Sequence, residues 1–297
     1  MFVRAYFETI FFVGLWAEIW YNSRMRRLTL AFAALAVLAG FLYYFRVSIR
    51  DSVFEWSKKD LPKESTYKEV RLHPTSLPKP QITAIPANPM PVPSPTPTPP
   101  FQGINLAVPF SSQAPYGDWS LPYEEACEET SSLLVDRFYK GQGITPETAK
   151  DEILKMVDWE KSKFGYYEDT TAAETATMLR EYFGYKKVEV KYDITVDDIK
   201  NEILSGRPVI LPLAGRLLYN PYYRQPGPPY HMLVVKGVTQ DGDLITNDVG
   251  TRRGYNYIYN ADVLFNAIHD APGGGKINDL EKYVLTGRKA MIVVYPN

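Results

Sequence analysis

The sequence runs to 297 residues and carries 33 Lys and Arg against 34 Asp and Glu, a formal net charge of -1 at neutral pH. That balance gives no field to hold the whole chain on nucleic acid, which is not expected as a partner. One cysteine and three histidines exclude an internal disulfide and any C-x-x-C zinc spacing, so neither a metal nor an organic cofactor is expected.

Residues 1–27 read as a cytoplasmic N-terminal segment. The stretch FETIFFVGLWAEIWY is apolar but carries Glu8 and Glu18, as an interfacial helix does, and Met25 is an alternative start. Leu28 to Phe45 is an uncharged run of 18 residues, close to the roughly 20 needed to cross a bilayer, and predicts a transmembrane helix over 28–45. Arg24, Arg26 and Arg27 on its N-terminal flank favour a cytoplasmic N-terminus, with everything after Phe45 exported. The competing reading is secretion after cleavage of a signal peptide at Val37-Leu38-Ala39. The apolar run continuing from Phe41 to Phe45 suits a permanent span better.

Residues 46–103 read as a juxtamembrane segment and linker. Prolines occupy 11 of the 28 positions from 73 to 100. Because proline removes backbone donors and fixes φ, MPVPSPTPTPP should be an extended polyproline II spacer rather than part of a core. A PxxP ligand is the alternative, but repetitive Pro/Ser/Thr beside a span reads as a stalk.

The rest, residues 104–297, is enough for one domain with a substantial core. A helix starts near Glu128, another at Thr145-Pro146, and a third after the capping box Thr171 to Glu174, ending at Gly184. Short apolar runs follow at Pro208-VILPLA, His231-MLVVKGV, Asp243-LITN and Lys289-AMIVVYP, with Asp241-Gly242 turning one hairpin. Helices first and sheet later, without regular alternation, argue for an α+β domain.

Cys127 stands at a helix N-terminus, where unsatisfied amides and the macrodipole favour a thiolate. A lone cysteine is commonly a small buried apolar residue. Glu124, Glu125, Glu128 and Glu129 argue against full burial of this stretch. They also disfavour a thiolate by like-charge repulsion, so an imidazolium must supply much of its stabilisation. His231 opens a strand where loop meets scaffold, 104 residues after Cys127, in the papain-type order although the spacing there is about 130 to 150. Asp248 ends the next strand, 17 residues on, placed to orient the imidazole; Asn247 takes that role if the register differs by one.

Taken together, VPF-SS-Gln113, Trp119, Cys127, His231-MLVV-Lys236-Gly237 and Asn247-Asp248 resemble the C39-like, papain-fold cysteine peptidases, over about Asn105 to Tyr295. The resemblance implies a papain-like fold that cleaves peptide or related amide bonds. It makes Cys127 the nucleophile, His231 the general base and acid, Asp248 the orienting acid and Gln113 an oxyanion-hole donor. Glu128 departs from the glycine that often follows the cysteine in that family. Trp119 and the Tyr/Pro-rich loop with Tyr222, Tyr223 and Tyr230 are candidates for a cleft gripping an extended peptide.

A catalytically silent binding module and a cell-wall peptide amidase are the rival readings. The amidases usually orient the imidazole with a second histidine, and Asp248 at that place speaks against them. His269 reads as a helix residue without a site role, and Gly273-Gly274-Gly275-Lys276 as a flexible turn.

Overall fold

A computed structural model describes residues 2–72, 101–273 and 284–296. The spacer expected over 73–100 and most of the turn at 273–276 lie outside these residues. Two compact units are present, Met1–Asp60 and Leu61–Asn297.

The first unit is a single helix, α1 (Phe2–Ser57), in which the stretch Arg27–Ser57 is long and apolar enough to cross a membrane. The helix runs past the expected end at Phe45. No proline occurs before Pro62, so nothing in residues 46–57 breaks it, and Arg46 folds its guanidinium over the Tyr43 ring at 3.8 Å.

The second unit begins well before residue 104. Glu64–Ser65 form β1, which pairs in parallel with β2 (Ile104–Leu106), and α2 (Tyr67–Leu72) follows it. Tyr67 stacks edge-on against Phe138 and Tyr139, and Val70 is buried against Gly206. The proline-rich composition of 73–100 carries no signal about the ordinary sequence just before it.

The sheet runs in the order β1-β2-β5-β4-β8-β3, with β6 pairing β5 and β7 beyond it. Its remaining strands are β3 (Lys187–Tyr192), β4 (Val209–Leu213), β5 (His231–Val238), β6 (Leu244–Asn247), β7 (Tyr257–Tyr259) and β8 (Ala290–Tyr295). Every described pair but β1–β2 is antiparallel. β4, β5 and the Ala290–Val294 part of β8 are buried along their length. This is why they read as continuous apolar runs rather than alternating ones.

Helices α3 (Cys127–Lys140), α4 (Pro146–Phe164), α5 (Ala172–Glu181), α6 (Val196–Leu204) and α7 (Ala261–Ala267) complete the domain. The capping box at Thr171 and Glu174 is formed, and Pro146 occupies the first turn of α4 behind the Thr145 cap. α3 packs on β5 and carries Leu134, Val135 and Phe138 into the main core. Leu133 turns to a second core with Ile153, Met156 and Met178.

The mixed helix-and-sheet class matches expectation, but β2, β3 and α6 interleave with the helices more than the sequence pattern indicates. α7 also ends earlier than the apolar run ADVLFNAIHD. Beyond Ala267 the chain pairs with β4 instead, through Ala214 N–H to Ala267 O and His269 N–H to Pro212 O. His269 is thus in an extended stretch, its Nδ1 at 3.1 Å from the Gly287 carbonyl.

Candidate active site

One end of the β5–β6 pair assembles the site. Val234 lies opposite Asn247, so the register carries His231, the first residue of β5, toward the turn that follows β6. There His231 Nε2 lies 3.0 Å from Asp248 Oδ1, with both side chains buried. Gly250 lies against the ring: a Cβ there would come within 2.9 Å of His231 Cε1, so the position requires glycine for close approach.

Asp248 is completely buried, and burial by itself would push its carboxyl up. Hydrogen bonds from His231, Tyr223 and Tyr259 outweigh that and hold it below the usual range. Tyr223 and Tyr259 each donate a hydroxyl to Oδ2 at 2.6 Å, Asn220 Nδ2 donates at 3.0 Å, and the Gly250 N–H donates to Oδ1. The result is a fixed anion with one acceptor aimed at the imidazole. Asn247 is occupied elsewhere, donating its Nδ2 to the Val108 and Pro109 carbonyls.

Cys127 is the first residue of α3, and its N-cap Ala126 supplies no side-chain cap, so the thiol sits at the positive end of the helix. The Cys127 Sγ accepts a hydrogen bond from the Met232 N–H at 3.3 Å. β6 leaves β5 after Asn247, opposite Val234, and this edge amide turns to the sulfur instead of a strand partner. The residue next to His231 is therefore in direct contact with the thiol. Asp248 takes Nε2 of His231, and Cys127 and His231 line the same cleft.

The acidic neighbours are arranged differently from expectation. Glu128 and Glu129 are buried, at 1% and 0% exposure, together with Glu160 of α4. Burial, before any charge effect, pushes all three carboxyls up. Burial and then the Glu128 charge push the Cys127 thiol up as well, and Glu128 Oε2 lies 3.0 Å from Sγ. A run of four glutamates suggests solvent by composition, but α3 must enter the core to bring its first turn to β5.

Gln113 also differs from expectation. It is buried, and its Nε2 donates to the carbonyls of Tyr123 (3.0 Å) and Glu124 (2.8 Å), which spends both amide hydrogens. Turning the amide over would set Oε1 against those two carbonyls. In this geometry Gln113 ties down the turn before Cys127 and has no hydrogen left for an oxyanion.

A cleft of about 680 Å³ gives access to the sulfur and the imidazole. Trp119, Tyr222, Tyr223 and Tyr230 all line it. Trp119 and Tyr222 are partly exposed, whereas Tyr223 is held on Asp248 and Tyr230 shares its one hydroxyl hydrogen between Thr170 O and Asp270 Oδ1. Asn220 and Tyr259 escape sequence reasoning, since they converge on Asp248 from 28 and 11 residues away without a local pattern. Among the described residues no group of His, Cys, Asp and Glu is arranged to hold a metal.

The Peptidase C39 like family matches residues 105–271 of the chain. Among solved structures, a protein from Bacillus anthracis assigned as a C39-like peptidase is similar, with TM-score 0.41 and 12% identity over 66% of this chain and 99% of its own. A fragment of Prevotella intermedia prointerpain A aligns with TM-score 0.27 and 18% identity over 42% of this chain and 33% of its own. No curated protein sequence matches.

Proposed function

Because this chain belongs to the Peptidase C39 like family, we propose that it is a membrane-anchored cysteine peptidase that hydrolyses peptide or related amide bonds through an acyl-thioenzyme on Cys127. The observation that carries this reading is the convergence on one cleft of Cys127, at an uncapped helix start, and His231 bonded to a buried Asp248.

His231 Nδ1 takes the thiol proton as Sγ attacks the carbonyl carbon, while Asp248 balances the imidazolium. The oxyanion forms beside the Cys127 N–H and the positive end of α3. His231 then protonates the leaving amine, and later removes a proton from the water that hydrolyses the thioester. Gln113 acts by fixing the turn that presents Cys127. Trp119 and Tyr222 offer aromatic faces to an extended peptide.

Substitution Cys127→Ala abolishes hydrolysis and labelling by a thiol-reactive peptide electrophile without unfolding the domain; full residual hydrolysis contradicts the reading. The buried, acid-flanked thiol favours one alternative, a silent descendant that uses the cleft for binding. A folded wild-type protein whose thiol reacts no faster than a free cysteine would support that alternative. The arginine flank of Arg27–Ser57 supports an anchor with a cytoplasmic N-terminus and an exported domain.

A further inference from the structure

Glu128 touches the sulfur but not the cleft. Cys127 lines the cleft, Glu128 does not, and its Oε2 sits 3.0 Å from Sγ while its Oε1 has no hydrogen-bond partner. The titratable groups facing it are Cys127 and Glu129 on α3, Glu160 on α4, Asp169 before α5 and Tyr230 ahead of β5. All are acids, and among the described residues no Lys, Arg or His forms an ion pair with Glu128, Glu129 or Glu160.

An ionised carboxylate in this setting is opposed by desolvation first and by like charge from Glu129 and Asp169, which together outweigh the hydrogen bonds it takes from the Cys127 thiol and its own backbone N–H. The neutral acid has the opposite property. With Glu128 ionised the 3.0 Å contact has the Cys127 S–H donating to Oε2; once Glu128 is neutral the same contact can reverse, its hydroxyl donating to a thiolate that also accepts from the Met232 N–H.

We propose that neutral Glu128 is a positioning residue for the reaction: it donates a hydrogen bond to Cys127 Sγ, holds the thiolate opposite protonated His231, and silences the nucleophile when it ionises. The inference rests on Cys127 being the nucleophile. The thiol proton passes to His231 Nδ1, and the Glu128 proton stays on its own oxygen throughout. On acylation the sulfur loses its charge and the hydrogen bond weakens; it is restored when the thioester is hydrolysed and thiolate leaves. With Glu128 ionised, the carboxylate instead accepts the S–H hydrogen and repels any thiolate, so the proton is withheld from His231.

The test is the alkylation rate of Cys127 by iodoacetamide in the full-length protein from about pH 5 to about pH 9, for wild type, Glu128→Gln and His231→Ala. The glutamine amide donates to sulfur but cannot ionise. The expected wild-type rate passes through a maximum and falls on the alkaline side, whereas the Glu128→Gln rate does not fall and ends about tenfold above it, the scale of one charge-assisted hydrogen bond. Superimposable profiles for wild type and Glu128→Gln, with His231→Ala slow, overturn the role of Glu128 and leave the nucleophile standing. A rate unaffected by His231→Ala overturns the peptidase reading itself. Should Glu128→Gln not fold, the ultraviolet thiolate absorbance of wild type minus Cys127→Ser decides: a signal that declines as pH rises supports the proposal, and a monotonic rise overturns it.

Discussion

At the residue scale the decisive group is Asp248, because everything the imidazole does depends on that carboxylate staying ionised in a dry site. His231, first by its hydrogen bond and then by its charge, and two tyrosine hydroxyls at 2.6 Å together outweigh its desolvation. Tyr259→Phe removes one donor and is expected to cost about 1.5 to 3 kcal/mol of stability, as for a hydrogen bond to a charge. It should also move the acid limb of the Cys127 labelling profile to higher pH, because Asp248 then protonates more readily. An unshifted limb would mean that Tyr259 only packs. The sequence order Cys127, His231, Asp248 was readable because each stands at the end of an element with its own local signal. The second layer around Asp248 was not, since Asn220 and Tyr259 meet it only through the folded sheet. Glu128 and Glu129 misled for a different reason: charge marks the usual exposure of a residue, and here the position of α3 overrides it.

Among the elements, β5 links the site to the chain's N-terminal side. Its Lys236, at the irregular step of the β5–β6 pairing, is completely buried. It is paired with Glu64 of β1, donates to Asn256 at 2.8 Å and faces the Tyr255 ring. Burial lowers its pKa to about 8 although Glu64 opposes the fall. Glu64→Ala leaves a buried cation that must either pay desolvation or release its proton, and should lower stability by about 1 to 3 kcal/mol. Glu64→Ala combined with Lys236→Met should recover most of that loss in chemical denaturation. A double variant no more stable than Glu64→Ala would show that the pair itself contributes little. The sequence showed β4, β5, β6 and β8 through apolar runs and turn residues. It did not show β1 and α2, whose place depends on a parallel pairing with β2 and a single buried valine, Val70.

For the whole molecule, pH sets two opposing groups of carboxyls against each other. Glu128, Glu129 and Glu160 bind protons more tightly folded than unfolded. Their contribution is fully present below the ordinary carboxylate pKa of about 4.3 and is lost as pH rises through the raised folded values. Asp248 has the opposite sign, with stability present above about 3.9 and lost only as pH falls through its lowered folded value. The thermal midpoint should therefore decline from about pH 5 to about pH 8, and Glu129→Gln should flatten that decline. A level midpoint in wild type would contradict the ionisation scheme. At the same scale, an anchored chain resists extraction from membranes by alkaline carbonate and is digested by protease added to intact cells. Release of a soluble product starting near Gly40 would favour signal cleavage instead.

The central claim is that His231 activates Cys127, and the most direct measurement is the rate at which a peptide electrophile labels this single cysteine in wild type, His231→Ala and Asp248→Asn. The account predicts wild-type labelling at mildly acidic to neutral pH that exceeds a free cysteine's. It predicts a loss of about a hundredfold or more in His231→Ala and a smaller loss in Asp248→Asn. Equal rates in wild type and His231→Ala, with both domains folded, would contradict it.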